Sequence, residues 1–132
     1  MKIHHIGYLV KNIEKAREQF MKMGFCDNKS TVFDAIRNVH ICFIKKDGYC
    51  IELIQPTKDS AIYGLLKKYK NTAYHICYQV DDMRRAIEEL EQMGFYLFED
   101  VKVAPAISDN AKVAFLMGKD CGIIEILDCG SL

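Results

Sequence analysis

Four residues have the types and spacing to hold a divalent metal: His5, Glu52, His75 and Glu125. They occur as two matched pairs. Residues 5–8 read HIGY and residues 75–78 read HICY, while the glutamates stand mid-run in CIELI at 50–54 and IIEIL at 123–127. A carboxylate inside an apolar strand is costly to bury unless it is paired or bound to a metal. One such glutamate would read equally as an edge-strand residue facing water, and one such histidine as structural. A repeated set of both is a different object. Two neutral imidazoles and two carboxylates form a borderline-hard donor set suited to one divalent Zn, Ni, Co, Mn or Fe ion. With an open position, such an ion acts as a Lewis acid toward a developing enolate. Proton abstraction beside a carbonyl then needs a base within hydrogen-bond reach, and Glu52 or Glu125 is the candidate.

The elements that would position these residues are themselves duplicated. Residues 5–25 and 75–95 align without a gap, with nine identities in 21 pairs. Farther on, ICFI at 41–44 matches VAFL at 113–116, and CIELI matches IIEIL, placing Glu52 on Glu125. The chain is two copies of a unit of about 55 residues. Each opens with a β-rich run. Asn12 in the first copy, and Asp81 or Asp82 in the second, can cap a following helix. Ile13, Ala16, Phe20 and Met23 make one apolar helix face, repeated as Met83, Ala86, Leu90 and Met93. Gly24 and Gly94 end the helices. Strands are expected near 31–34 or 96–99, at 39–45 or 112–117, and at 49–55 or 122–127, with a hairpin turn at KKDG. Each unit is therefore βαβββ. One domain is expected over 1–132, with module one at about 1–56, a joining segment at 57–72 and module two at about 73–132. The joining segment should carry a helix over Ser60–Tyr69 capped by Ser60.

Alternation along the strands sorts the side chains by face. Tyr74, Ile76, Tyr78 and Val80 should lie under the helix, and His75, Cys77 and Gln79 should line a cavity. In the first copy His5, Gly7 and Leu9 take the matching face, so His5 rather than His4 partners His75. Gly7 against Cys77 then breaks the symmetry where a substrate would lie. His4 is expected to be structural or partly exposed, and His40 sits off the face occupied by Ile41 and Phe43.

Composition limits the function classes. Half the residues are hydrophobic, the formal net charge is zero and no basic block occurs. Nucleic acid and anionic membranes are therefore not expected partners. No apolar run approaches the roughly 20 residues of a membrane span, and the N-terminus lacks the pattern of a signal peptide. Six cysteines form no CxxC pair and several lie in apolar runs, so they read as reduced thiols of a cytoplasmic protein.

At these residues the sequence resembles the vicinal oxygen chelate superfamily, which includes glyoxalase I (lactoylglutathione lyase), methylmalonyl-CoA epimerase, extradiol dioxygenases and bleomycin-resistance proteins. The blocks that carry the resemblance are HHIGYLVKNIEKA, IELIQP, YHICYQVDDM and KVAFLMGKDCGIIEIL. They span essentially the whole chain, and the resemblance is greatest to the epimerase-like branch. It implies an α+β fold of two tandem βαβββ modules forming a U-shaped mixed-sheet cleft around a divalent metal held by His5, Glu52, His75 and Glu125. It also implies a metal-dependent isomerase or lyase acting on a thioester or hemithioacetal, with a homodimer as the expected assembly. Gly7, Cys77, Gln79, Phe43, Phe115 and Lys119 are the expected substrate contacts, Lys119 through a phosphate or carboxylate. The chain departs from the branch in having Arg37 and Asn38 where a Gln-Gly pair is usual, Ile41 where a catalytic glutamate would fall, and Met117, Gly118 and Lys119 where His-Pro-Lys is frequent. The alternatives are a metal-dependent dioxygenase, against which Glu52 counts as an extra ligand, and a small-molecule binding or resistance protein, which would not need the ligand set.

Overall fold

The computed structural model describes residues 1–130, which contain nine strands and three helices. They fall into two compact units, His5–Tyr74 and His75 onward, the latter together with Met1–His4.

The first unit holds β1 (Lys2–Leu9, its first three residues counted with the other unit), α1 (Ile13–Lys22), β2 (Cys26–Asp27), β3 (Val32–Asp34), β4 (Val39–Lys46), β5 (Tyr49–Pro56) and α2 (Tyr63–Tyr69). β1 pairs in parallel with β5, β5 is antiparallel to β4, and β4 is antiparallel to both β2 and β3. The second holds β6 (Thr72–Gln79, its first three residues counted with the first unit), α3 (Met83–Gln92), β7 (Tyr96–Val103), β8 (Lys112–Gly118) and β9 (Gly122–Asp128). Its pairings repeat those of the first: β6 parallel to β9, then β9–β8 and β8–β7 antiparallel. The fold class is α+β, two copies of one βαβββ unit. In the first copy the third element is broken into β2 and β3, whereas in the second it is the eight-residue β7.

Local chemistry explains the repeat. The Asn12 side chain accepts the Lys15 amide at 3.0 Å, and Asp82, not Asp81, accepts the Arg85 amide at 3.1 Å. Both α1 and α3 end in a glycine of positive φ, +100° at Gly24 and +98° at Gly94, where a side chain would strain the backbone. The amides of Phe25 and Phe95 then donate to Phe20 and Leu90 carbonyls, both at 3.1 Å. This turn places Phe25 and Phe95 against the cores and leaves Met23 and Met93 exposed. The apolar stripe of each helix thus stops one turn earlier than its spacing suggests. The Asp47–Gly48 turn has φ of 53° and 83° and closes the β4–β5 hairpin.

Under α1 the core consists of Val10, Ile13, Cys42, Ile44 and Leu53, with Tyr8, Ala16 and Phe20 against it. Under α3 it consists of Val80, Ala86, Leu90, Ala114, Leu116, Ile124 and Ile126. Tyr78 and Val80 join that core as expected, but Ile76 is exposed, because α3 covers only the C-terminal end of β6. A separate apolar cluster in the second unit contains Cys77, Ala104, Ala111, Val113, Phe115 and Leu127. The joining helix also differs from expectation. It begins at Tyr63, and the Ser60 hydroxyl instead accepts the Ile62 amide at 3.3 Å in the turn before it.

Candidate metal centre

Each unit brings one histidine to one glutamate. In the first, β1 and β5 run in parallel with Gly7 opposite Glu52. His5 lies two residues before Gly7 and so projects to the same face. Its Nε2 stands 3.3 Å from a Glu52 carboxylate oxygen. In the second unit the register repeats, with Cys77 opposite Glu125, and His75 Nε2 stands 3.2 Å from Glu125. The antiparallel neighbour adds a phenylalanine to each pair. Phe43 pairs with Glu52 and Phe115 with Glu125. His5 meets the Phe43 ring edge-on at 5.4 Å and 79°, and His75 meets Phe115 at 5.4 Å and 85°. All four chemistry-bearing side chains are buried: His5 is 1% exposed, His75 4%, and each glutamate 5%.

The pairs fit the chemistry of a divalent ion. Two donors each about 2.1 Å from one ion stand roughly 3.0–3.5 Å apart, according to whether the geometry is octahedral or tetrahedral. The imidazole–carboxylate distances in both units lie in that range. Neighbouring groups are mostly apolar. Burial pushes the Cys50 thiol up, with the opposing influence of His5 smaller, so this neighbour stays protonated and neutral.

The other expected contacts are distributed differently. Gly7, Phe43 and Phe115 are buried in the strands that carry the pairs. Cys77 faces the His75 side but has no exposed surface and belongs to an apolar cluster with Ala104, Ala111, Phe115 and Leu127. Gln79 lines a groove of about 470 Å³ with Met1, Lys2, Asp81, Asp82 and Arg85, and His75 is not part of its lining. Lys119 is exposed in the β8–β9 turn. His4 and His40 are half-buried, and the His40 ring lies 4.8 Å from that of Phe33, tilted by 51°. Tyr96 and Phe98 stand outside the expected contacts. Phe98 lies 6.0 Å from Phe115, the ring that meets His75, and the signal was two aromatics spaced two apart on a strand.

This duplicated fold, with its matched pairs, belongs to a recognisable class. The chain is a member of the Glyoxalase/Bleomycin resistance protein/Dioxygenase superfamily, whose profile matches residues 4–115. It is similar to the mitochondrial methylmalonyl-CoA epimerase of Homo sapiens, 29% identical over 124 residues covering 92% of this chain and 69% of that protein. It is equally similar to the ethylmalonyl-CoA/methylmalonyl-CoA epimerase of Cereibacter sphaeroides, 29% identical over 124 residues covering 90% of each. In fold it resembles a variant methylmalonyl-CoA epimerase of Streptomyces coelicolor solved with 2-nitronate-propionyl-CoA. The TM-score is 0.82 at 20% identity, covering all of this chain and 96% of that one.

Proposed function

We propose that the chain is a divalent-metal-dependent epimerase of acyl-CoA thioesters, with His5, Glu52, His75 and Glu125 serving one ion in the cleft that the fold family implies. The observation that carries this reading is the repetition of a buried histidine–glutamate pair at metal-ligand spacing in both units. The names of its relatives supply the substrate class. When bound, the ion would polarise a substrate oxygen and so acidify the carbon beside the thioester carbonyl. Glu52 or Glu125 takes the proton from that carbon, and the C–H electron pair moves into the carbonyl as an enolate. The other glutamate, in its acid form, gives a proton to the opposite face of the carbon as the enolate collapses, and the centre is inverted. Low exposure of both glutamates keeps water from competing for the carbanion. The buried ring of Phe43 in the first unit and that of Phe115 in the second each set an apolar group beside a histidine–glutamate pair.

The six thiols are all free, which supports a reducing, cytoplasmic setting. Among the described residues no helix is long and apolar enough to cross a membrane. We place the protein there as a homodimer, a state that light scattering on the purified protein measures directly.

The deciding experiment follows solvent deuterium into the carbon beside the carbonyl, using methylmalonyl-CoA and, as the glyoxalase-like alternative, a glutathione hemithioacetal. Exchange into the thioester that stops on chelation and returns with added metal is the expected result. Exchange into the hemithioacetal alone would make the protein a lactoylglutathione lyase, and exchange into neither would remove the isomerase reading.

A further inference from the structure

The second unit carries an aromatic chain that runs from the candidate metal centre to the surface. His75 meets Phe115 at 5.4 Å, Phe115 meets Phe98 at 6.0 Å, and Phe98 meets Tyr96 at 6.4 Å. The inner members are buried, whereas Phe98 is 43% exposed and Tyr96 57%. Register explains the shared face. Tyr96 lies opposite Met117, two residues beyond Phe115 on β8, and the pairing shifts between Leu97 and Glu99. Counting on from Leu97 opposite Leu116 would put Phe98 opposite Phe115; the shift brings Glu99 to that place instead and leaves the Phe98 ring 6.0 Å from Phe115, while Leu97 packs into the core under α3. The first unit has no equivalent. Its third element is broken into β2 and β3, and its aromatic there, Phe33, meets His40 at a tilt of 51°, on the face of β4 that carries core residues Cys42 and Ile44. The asymmetry gives one side of the site an open apolar wall.

We propose that Tyr96 and Phe98 seat the apolar substituent on the reacting carbon of the substrate and select substituents larger than methyl. The proposal rests on the thioester-epimerase reading for the identity of the substrate. Its occupant follows from continuity: a molecule whose reacting carbon lies at His75 and Glu125 has Phe115, then Phe98, as its next apolar neighbours. Two exposed rings at 6.4 Å bury little surface against each other. A benzyl or branched alkyl group gains contact with both, while a methyl group is too short to reach past Phe115.

Calorimetric titration of the metal-loaded protein with methylmalonyl-CoA and benzylmalonyl-CoA tests this, alongside deuterium exchange into each ester. The expected result is a Kd ratio favouring benzyl by about 10- to 100-fold. That ratio should collapse toward one in Phe98→Ala and be largely restored in Phe98→Leu. A ratio near one in the native protein, or one unaltered in Phe98→Ala, overturns the proposal. So does a Phe98→Ala protein that dissociates to monomers with its ratio intact, because the wall would then be a subunit contact. Binding of neither ester overturns the wall and the thioester reading together. A large, Phe98-dependent ratio without deuterium exchange would leave the wall standing and remove the epimerase.

Discussion

The Nε2 of His75 stands 3.2 Å from a carboxylate oxygen of Glu125, and 70 residues earlier His5 stands 3.3 Å from Glu52 in the same strand geometry. Neither contact is local in sequence. Each arises because a parallel strand pair places the glutamate opposite the residue two after the histidine. The duplicated contact makes each half of the proposed centre separately testable.

Purified without chelator, the protein should contain about one divalent metal per chain by elemental analysis. His75→Ala and Glu125→Ala should each lower the content at least tenfold, since a ligand removed from a small donor set is not replaced by an apolar side chain. Retention also weakens in acid, because imidazole must be unprotonated to bind. Undiminished metal in both variants would exclude this centre.

Gly118→Ala should destabilise the second unit without touching the metal pairs. A Cβ there would fall 2.5 Å from Phe95 Cε1, and Phe95 packs against the core under α3. The ring has no free end to swing away. Overpacking of this kind costs about 1–3 kcal/mol, which chemical denaturation would read as a lower midpoint at an unaltered slope. A midpoint equal to that of the native protein would show that Phe95 moves freely.

Asp82→Ala should cost about 1 kcal/mol by removing the cap of α3. The Arg85 amide loses the acceptor it has at 3.1 Å. Asp82→Asn should recover most of the loss, because an amide oxygen also accepts. Equal destabilisation by both substitutions would point to charge rather than capping.

Acid stability should depend on Asp27. Its carboxylate takes hydrogen bonds from the Arg17 guanidinium, which hold the Asp27 carboxyl below the usual carboxylate range. The folded protein therefore binds this proton less readily than the unfolded chain. The stabilising contribution is present above the unfolded carboxylate range and is lost as pH falls through the lower, folded value. Thermal melting should show Asp27→Asn below the native protein at neutral pH, with the two curves converging in strong acid. The gap should be small because the pair is exposed, and a gap independent of pH would count against the ion pair.

Much of the fold was legible because the chain says it twice. The repeat fixed which histidine matches which, and the cap and glycine signals bounded both long helices. What failed depended on tertiary coverage. Alternation placed Cys77 on the His75 face but carried no information that it would be buried in a cluster with Ala104 and Ala111. It also placed Ile76 beneath a helix that stops short of it. Ser60 looks like a cap in sequence but serves a turn, because Ser, like Asp and Asn, bonds nearby amides in either setting. Spacing puts Tyr96 and Phe98 on one face of a strand, but it carried no information that both rings would stay exposed beside Phe115.

The β4–β5 turn has two residues, Asp47 and Gly48, whereas the β8–β9 turn has three, residues 119–121. That single extra residue is the step by which the repeat offset grows from 72, at Phe43 and Phe115, to 73, at Glu52 and Glu125. Length has drifted between the copies in the loops while the strand ladders kept count, so each phenylalanine still faces its glutamate. The hairpin loops work as expansion joints: they absorb insertions before these reach the ladder, where a slip of one would turn the carboxylate into the core.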